Sequence, residues 1–166
     1  MKNKGFTLIE LLLTIIVVAI ISGVSAQVLV RGIEIYSLIA NRRDALEHAR
    51  VGMDRMVSEL LLVKSLDITS ISNTNISFKD INGSSTSFRR ATQYNTIDLF
   101  RGSDFLAGQV ALLDFDYYKS DGSPANFTWD VRRINIELTI QTIGGYGDVP
   151  LRTEVFPRNF MYTNFR

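Results

Sequence analysis

Apolar residues are distributed along this chain in three regimes. From Leu11 to Val30 twenty consecutive residues carry no charge. A helix of that length rises roughly 30 Å, the hydrocarbon thickness of a bilayer. From Arg31 to about Leu66 no proline interrupts the chain, and Ile35, Ile39, Leu46, Met53 and Leu60 recur at spacings of four and seven. Leu38, Ala49, Met56, Val57 and Leu61 flank that stripe, while Arg42, Arg43, Glu47, Arg50, Asp54 and Glu59 fall on the opposite face. The pattern predicts one continuous helix from Phe6 to about Leu66, apolar all round in its first half and amphipathic in its second. Gly23, Gly32 and Gly52 are weak points in it, each costing about 1 kcal/mol relative to alanine. Close packing is the plain explanation for them, and bending during assembly the functional one.

After Asp67 the period changes from helical to alternating. Thr69 to Asn75 is rich in Ser, Thr and Asn and reads as a loop. Asn75–Asp80 and Thr86–Ala91 alternate around an Ile81-Asn82-Gly83-Ser84 turn, and Thr96–Arg101 is a further short strand ended by Gly102-Ser103-Asp104. In Val110–Lys119, Leu113, Phe115 and Tyr117 point one way and Asp114, Asp116 and Tyr118 the other. Val131–Ile143 places Ile134, Ile136, Leu138 and Ile140 on a core face, and Val149–Phe156 gives a last strand before Pro157. An antiparallel sheet with one apolar face needs a cover, and the helical stripe is the nearest one. The predicted fold class is α+β, a long N-terminal helix packed on an antiparallel β-sheet head.

One acid disturbs the apolar segment. Lys2 and Lys4 precede Gly5-Phe6-Thr7-Leu8-Ile9-Glu10, and Glu10 is the last charge before Arg31. An ionisable group at membrane depth costs on the order of 3 kcal/mol. An ordinary signal peptide has a shorter apolar region, although Ser25-Ala26-Gln27 loosely imitates a cleavage site, and a plain anchor gains nothing from the acid. A cut after Gly5 supplies a partner. It creates an amine on Phe6, four residues before Glu10 and on the same helix face.

The run Lys4-Gly5-Phe6-Thr7-Leu8-Ile9-Glu10 followed by a long apolar helix resembles the class III signal of type IV pilins and type II secretion pseudopilins, strongly over Lys2 to about Val30. The resemblance implies a leader of residues 1–5, a transmembrane and filament-core helix of 6–30, its amphipathic continuation over 31–66, and a β head of 67–166. It implies that prepilin peptidase cuts after Gly5 and methylates Phe6, and that Glu10 guides docking into a filament. It also implies the pilin fold. Gln27 stands where many major pilins have a kinking proline, a departure from the major-pilin pattern. Leu-x-Phe-x-Tyr-Tyr, an Asp-Gly turn, Val-Arg-Arg-Ile-x-Ile-x-Leu and Pro-Arg-Asn-Phe near the end are similar to J-type pseudopilins or W-type minor pilins. Glu10 argues against the K-type subunit, which characteristically lacks this acid.

Composition adds limits. The formal net charge is +1 with 21% charged residues, so no field points to nucleic acid, which is not an expected partner. There is no cysteine and hence no disulfide framework. Lys2 and Lys4 keep the leader cytoplasmic under the positive-inside rule, which places the head in the periplasm and later in a periplasmic or extracellular filament. His48, the lone histidine, lies with Asp44 and Glu47 on a charged face and reads as surface rather than a metal site. Asp114, Asp116 and Asp121 raise the question of calcium, but the ordered loop of an EF-hand is absent. Arg89-Arg90 and Arg132-Arg133 with Tyr94 and Tyr118 raise that of single-stranded DNA. Trp129, near Phe127, reads as a core or interface aromatic. No phosphate loop or nucleophile motif occurs, so neither an enzyme nor a cofactor is expected. The leading expectation is a minor pilin-like structural subunit of the inner membrane that primes or caps a secretion pseudopilus or a type IV pilus alongside other major and minor subunits. The alternative is a filament-tip binding module for DNA, a secreted substrate or a surface, with loops Ser70–Asn75 and Gly144–Asp148 as candidate contacts.

Overall fold

The structure is a computed structural model that describes residues 7–64, 67–93, 95–142 and 147–157. It divides into two compact units, residues 1–40 and 41–166. The first is helical. Helix α1 (Leu8–Leu60) begins here, and its residues from Leu8 to Ser37 are all exposed. The one hydroxyl at the start of the apolar run is satisfied locally, since Thr14 Oγ1 donates to the Leu11 carbonyl at 2.8 Å.

The second unit contains the end of α1 and two antiparallel sheets. The first sheet is a meander of β1 (Ile68–Ser72), β2 (Asn75–Lys79), β3 (Ser85–Gln93), β4 (Thr96–Arg101) and β5 (Asp104–Ala107), in that spatial order. The second is β6 (Val110–Tyr118), β7 (Arg133–Ile140) and β8 (Val149–Val155). In β7 the alternation is complete. Ile134, Ile136, Leu138 and Ile140 are buried and pair with β6 from Val110↔Ile140 to Tyr117↔Ile134. The fold is α+β, as the sequence pattern predicts, with a helix on antiparallel sheets.

Several elements differ from expectation. The head holds two sheets rather than one. Between them the chain passes through Gly108 and Gln109, and Gln109 has a left-handed φ of 57°. Buried Asp98 fixes this crossing, accepting from the Gln109 amide at 3.0 Å and from Thr96 Oγ1 at 2.8 Å. The segment from Thr69, read as a loop, contributes β1. Ile68 is buried and Ile71 half-buried, while Thr69, Ser70 and Ser72 are exposed because the strand lies at a sheet edge. The Asn73-Thr74 turn is tied down on both sides, its carbonyls accepting from the Phe115 and Arg90 amides. The Gly102-Ser103 break is a hairpin turn leading into β5, with Gly102 at a φ of 57°. Helix α1 ends at Leu60, short of Leu66, where its last turn tightens into bonds such as Leu62 N to Glu59 O.

The packed face of α1 also differs. Ile35 and Ile39 are 58% and 61% exposed, and Leu46 is only half-buried. The buried residues are Ala45, Ala49, Gly52, Met53, Met56 and Leu60. Small residues at 45, 49 and 52 bring the helix backbone against the sheets. A Cβ on Gly52 would lie 2.9 Å from Leu99 Cδ2, so this glycine is one of close packing. Met56 and Leu60 then meet Phe78, Phe88, Phe115 and Leu113 in one core.

Candidate functional site

The segment that carries the predicted site begins at the helix N-terminus. Thr7 precedes the first helical residue, and its Oγ1 accepts from the Glu10 amide at 3.4 Å while its carbonyl accepts from the Glu10 and Leu11 amides at 3.2 Å. Thr7-Leu8-Ile9-Glu10 thus has the spacing of a capping box, an N-cap hydroxyl with an acid three residues on. A negative side chain in the first turn also meets the positive end of the helix dipole. Sequence reasoning about a lone acid missed this local role, although the Thr-x-x-Glu spacing was its visible signal. Glu10 is exposed. Gly5 and Phe6 lie outside the described residues.

Behind Glu10 the surface is apolar as far as Val30, beyond which Arg31 and Glu34 stand among further exposed apolar residues. Exposed large hydrophobics run from Leu8 through Leu29 and Val30 to Ile33, Ile35 and Ile39. At 1.5 Å per residue the stretch from Leu8 to Ile39 is about 46 Å long, against roughly 30 Å of bilayer hydrocarbon. α1 is the one helix among the described residues long and apolar enough to cross a membrane.

In the head the other candidates separate. Asp121 is committed to its own turn, where Oδ1 accepts from the Ser123 amide at 2.9 Å and from Ser123 Oγ at 2.7 Å. Those bonds hold its carboxyl below the usual range. Asp114 and Asp116 flank a cavity of about 190 Å³ with Asn135, Glu137 and Arg152. Arg152 Nη2 donates to Glu137 Oε1 there at 2.8 Å, which raises the guanidinium's pKa. Among the described residues no three acidic or histidine side chains converge on one point, and His48 is exposed on the helix. The arginine pairs are engaged within the head. Arg89 lies over the Phe100 ring at 5.3 Å and Arg90 donates to the Ala111 carbonyl at 3.1 Å. Arg133 lies over Tyr118 at 4.5 Å, and Arg132 donates to the carbonyls of Trp129 and Val131. Tyr94 lies outside the described residues. Loop Ser70–Asn75 is β1 and its turn, and of Gly144–Asp148 only Gly147 and Asp148 are described.

One charged group ties helix to sheet. Arg101 Nε on β4 donates to both oxygens of Glu59 on α1, at 2.6 and 2.8 Å, and Arg55 pairs with the same acid. The Glu59 bond raises the Arg101 pKa further above its ordinary value. Beside this pair a groove of about 280 Å³ opens between the end of α1 and the β2–β3 turn.

An exposed apolar helix capped by a Thr-x-x-Glu turn, continuing into an α+β head, is the architecture of a pilin-like membrane-anchored subunit. Residues 1–26 match the family model described as the prokaryotic N-terminal methylation motif. The match covers the stretch in which the class III signal of type IV pilins and pseudopilins is expected, and it supports that expectation. None of the curated proteins compared with the chain matches it.

Proposed function

We propose that this protein is a minor pilin-like, or pseudopilin, structural subunit that primes or caps a type II secretion pseudopilus or a type IV pilus. In this reading prepilin peptidase cuts after Gly5 and methylates the new amine of Phe6. The leader is cytoplasmic and the head periplasmic. Glu10 meets an N-terminal amine, its own or a neighbour's, where water is excluded. The work is assembly, and no residue acts catalytically.

The observation that carries the reading is the length of exposed apolar helix. A bilayer covers about 30 Å of the roughly 46 Å between Leu8 and Ile39. The excess around Ile33, Ile35 and Ile39 is left to water unless another apolar surface covers it. Helices of neighbouring subunits are such a surface, and they cover the anchor as well once it leaves the membrane.

The experiment uses the absence of native cysteine. Single cysteines at Ile35 and Ile39 are expected to cross-link to other subunits in cells that make the peptidase, and a cysteine at exposed Glu47 is not. Mass spectrometry of the recovered chain is expected to give an N-methylated Phe6 at its start. A chain beginning at Met1 or after Ala26 overturns the reading, as does an absence of cross-links at both isoleucines.

A further inference from the structure

Three asparagines of the head stand two residues before a serine or threonine with no proline between, in Asn75-Ile76-Ser77, Asn82-Gly83-Ser84 and Asn126-Phe127-Thr128. This is the spacing that glycan transfer to asparagine requires, on a surface segment of an exported protein. The side-chain amide is the acceptor, and the hydroxyl two residues on must be within the transferase's reach as well. The spacing alone is common, so the fold decides which of the three can serve.

Asn75 is closed off. It starts β2 and is paired with Ser72 of β1 and Arg89 of β3. Its Oδ1 is buried, and its Nδ2 donates to the Ser77 hydroxyl at 3.4 Å, so amide and hydroxyl occupy each other. Asn126 is exposed, but Thr128 is half-buried at the start of a three-residue helical turn, Thr128–Asp130. Ala125 and Val131 are buried on either side of that turn, and the Phe127 ring is stacked on Trp129 at 5.4 Å. The hydroxyl there is held inside a packed loop.

Asn82 differs from both. Ile81, Asn82, Gly83 and Ser84 are all exposed at the tip of the β2–β3 hairpin. Asp80 shapes that tip. Its Oδ1 accepts from the Asn82 and Ser84 amides, each at 2.9 Å, and its carbonyl accepts from the Gly83 amide at 2.9 Å. Gly83 takes the left-handed φ of 80° that the turn needs. The backbone is therefore satisfied without the Asn82 side chain or the Ser84 hydroxyl, and neither makes a hydrogen bond among the described residues. We propose that Asn82 is an N-glycosylation site, whose donor is a polyprenyl-pyrophosphate-linked oligosaccharide. Asn82 Nδ2 forms a bond to the sugar's anomeric carbon as that carbon's bond to the pyrophosphate oxygen breaks. Polyprenyl pyrophosphate leaves with the electron pair, and the amide proton passes to a base of the transferase. The glycan covers Ile81, which is 76% exposed beside it. The site rests on the reading that places the head across the membrane from the cytoplasm, where such donors present their sugars.

Cleavage after lysine and arginine puts the three asparagines on separate peptides, residues 65–79, 80–89 and 120–132. The full chain is purified from the cells that make it, and these peptides are weighed by mass spectrometry. Peptide 80–89 is expected to carry a hexose- or N-acetylhexosamine-containing adduct, and the other two none. Asn82→Gln and Ser84→Ala are expected to abolish the adduct, and Ser84→Thr to keep it. The proposal is overturned if peptide 80–89 is bare, if its adduct survives Asn82→Gln, or if the glycan sits on one of the other two peptides instead. The N-terminal peptide of the same sample tells whether the assembly reading fails as well. A methylated Phe6 beside a bare peptide 80–89 removes the glycan alone, whereas a start at Met1 removes both.

Discussion

Thr7 and Glu10 show how one residue comes to serve two demands. The threonine hydroxyl accepts from the Glu10 amide, and the acid sits where the helix dipole is positive. The capping box is served by an acid or an amide alike, and the dipole adds a local preference for charge of only about 1 kcal/mol or less. The two roles separate by substitution. Glu10→Gln keeps the capping-box chemistry and removes the charge, whereas Glu10→Leu removes both. If charge pairing drives docking, both variants lose assembly while leader removal proceeds, and filament yield with N-terminal mass spectrometry reads both at once. A Gln variant that assembles like the parent assigns Glu10 to capping alone. Tyr117 gives a second residue-scale test. Its hydroxyl donates to the Ser72 carbonyl at 3.0 Å, joining β6 to β1, and burial holds its pKa well above the ordinary phenol value. In the unfolded chain this phenol ionises near about 10, so its contribution to stability is complete below that pH and is lost as pH rises beyond it. Tyr117→Phe is expected to cost about 1 kcal/mol at neutral pH. Above about pH 10 the parent loses up to about 1.4 kcal/mol per pH unit relative to the variant, so the gap should close within about one unit and then reverse. Denaturant midpoints measured at a series of alkaline pH values check this.

Along the elements, the period of the sequence decided most of what could be read. In β6 and β7 every second residue faces the core, so the alternation of Leu113, Phe115, Tyr117 and of Ile134 to Ile140 is visible without a structure. β1 was hidden because an edge strand needs few apolar residues, and its Ser and Thr content resembles a loop. The packed face of α1 was misplaced for a different reason. A stripe drawn through large apolar residues passes Ile35 and Ile39, whereas contact with the sheets is made through Ala45, Ala49 and Gly52, whose value lies in what they lack. Gly5, Phe6 and Glu10 stand in a contiguous linear signal, which is why sequence alone can offer them as a site, while the stacking and exposure of Phe127 and Trp129 depend on ring geometry that no linear pattern encodes. The three helical glycines make the contrast testable. No side chain or distant backbone atom lies within 4 Å of a Cβ placed on Gly32, but one on Gly52 meets Leu99 and, farther off, Ala107 and Leu138. Gly32→Ala should leave the head's thermal midpoint unchanged and add about 1 kcal/mol of local helix stability. Gly52→Val should cost about 2 kcal/mol or more, because the core around Leu99 has no room to yield. Thermal unfolding followed by near-UV circular dichroism separates the two.

For the whole molecule the decisive quantity is where apolar surface remains once the head has folded. The head buries its own core and uses only the last part of α1 to do so, from Ala45 to Leu60. The apolar residues from Leu8 to Tyr36 are not part of that core and are exposed. Surface of this kind is costly in water, at about 25 cal/mol per Å², and its persistence past a bilayer's thickness implies a second cover. Ile39 is the sharpest probe, because it lies beyond the membrane-length run and is 61% exposed. Ile39→Glu adds a charge where a lipid-embedded or core position would reject it, but where a solvated one would not. Folding of the head should be unaffected, with a change within about 0.5 kcal/mol, as for other surface substitutions. Membrane insertion should persist, since the twenty uncharged residues from Leu11 to Val30 are intact. Incorporation into filaments should fall sharply, because a carboxylate forced against neighbouring apolar helices lacks both water and a partner. Shearing or fractionating assembled filaments and blotting for the variant measures this directly. A variant incorporated at the parental level would mean that Ile39 stays in water after assembly, and the apolar length would then need a different explanation.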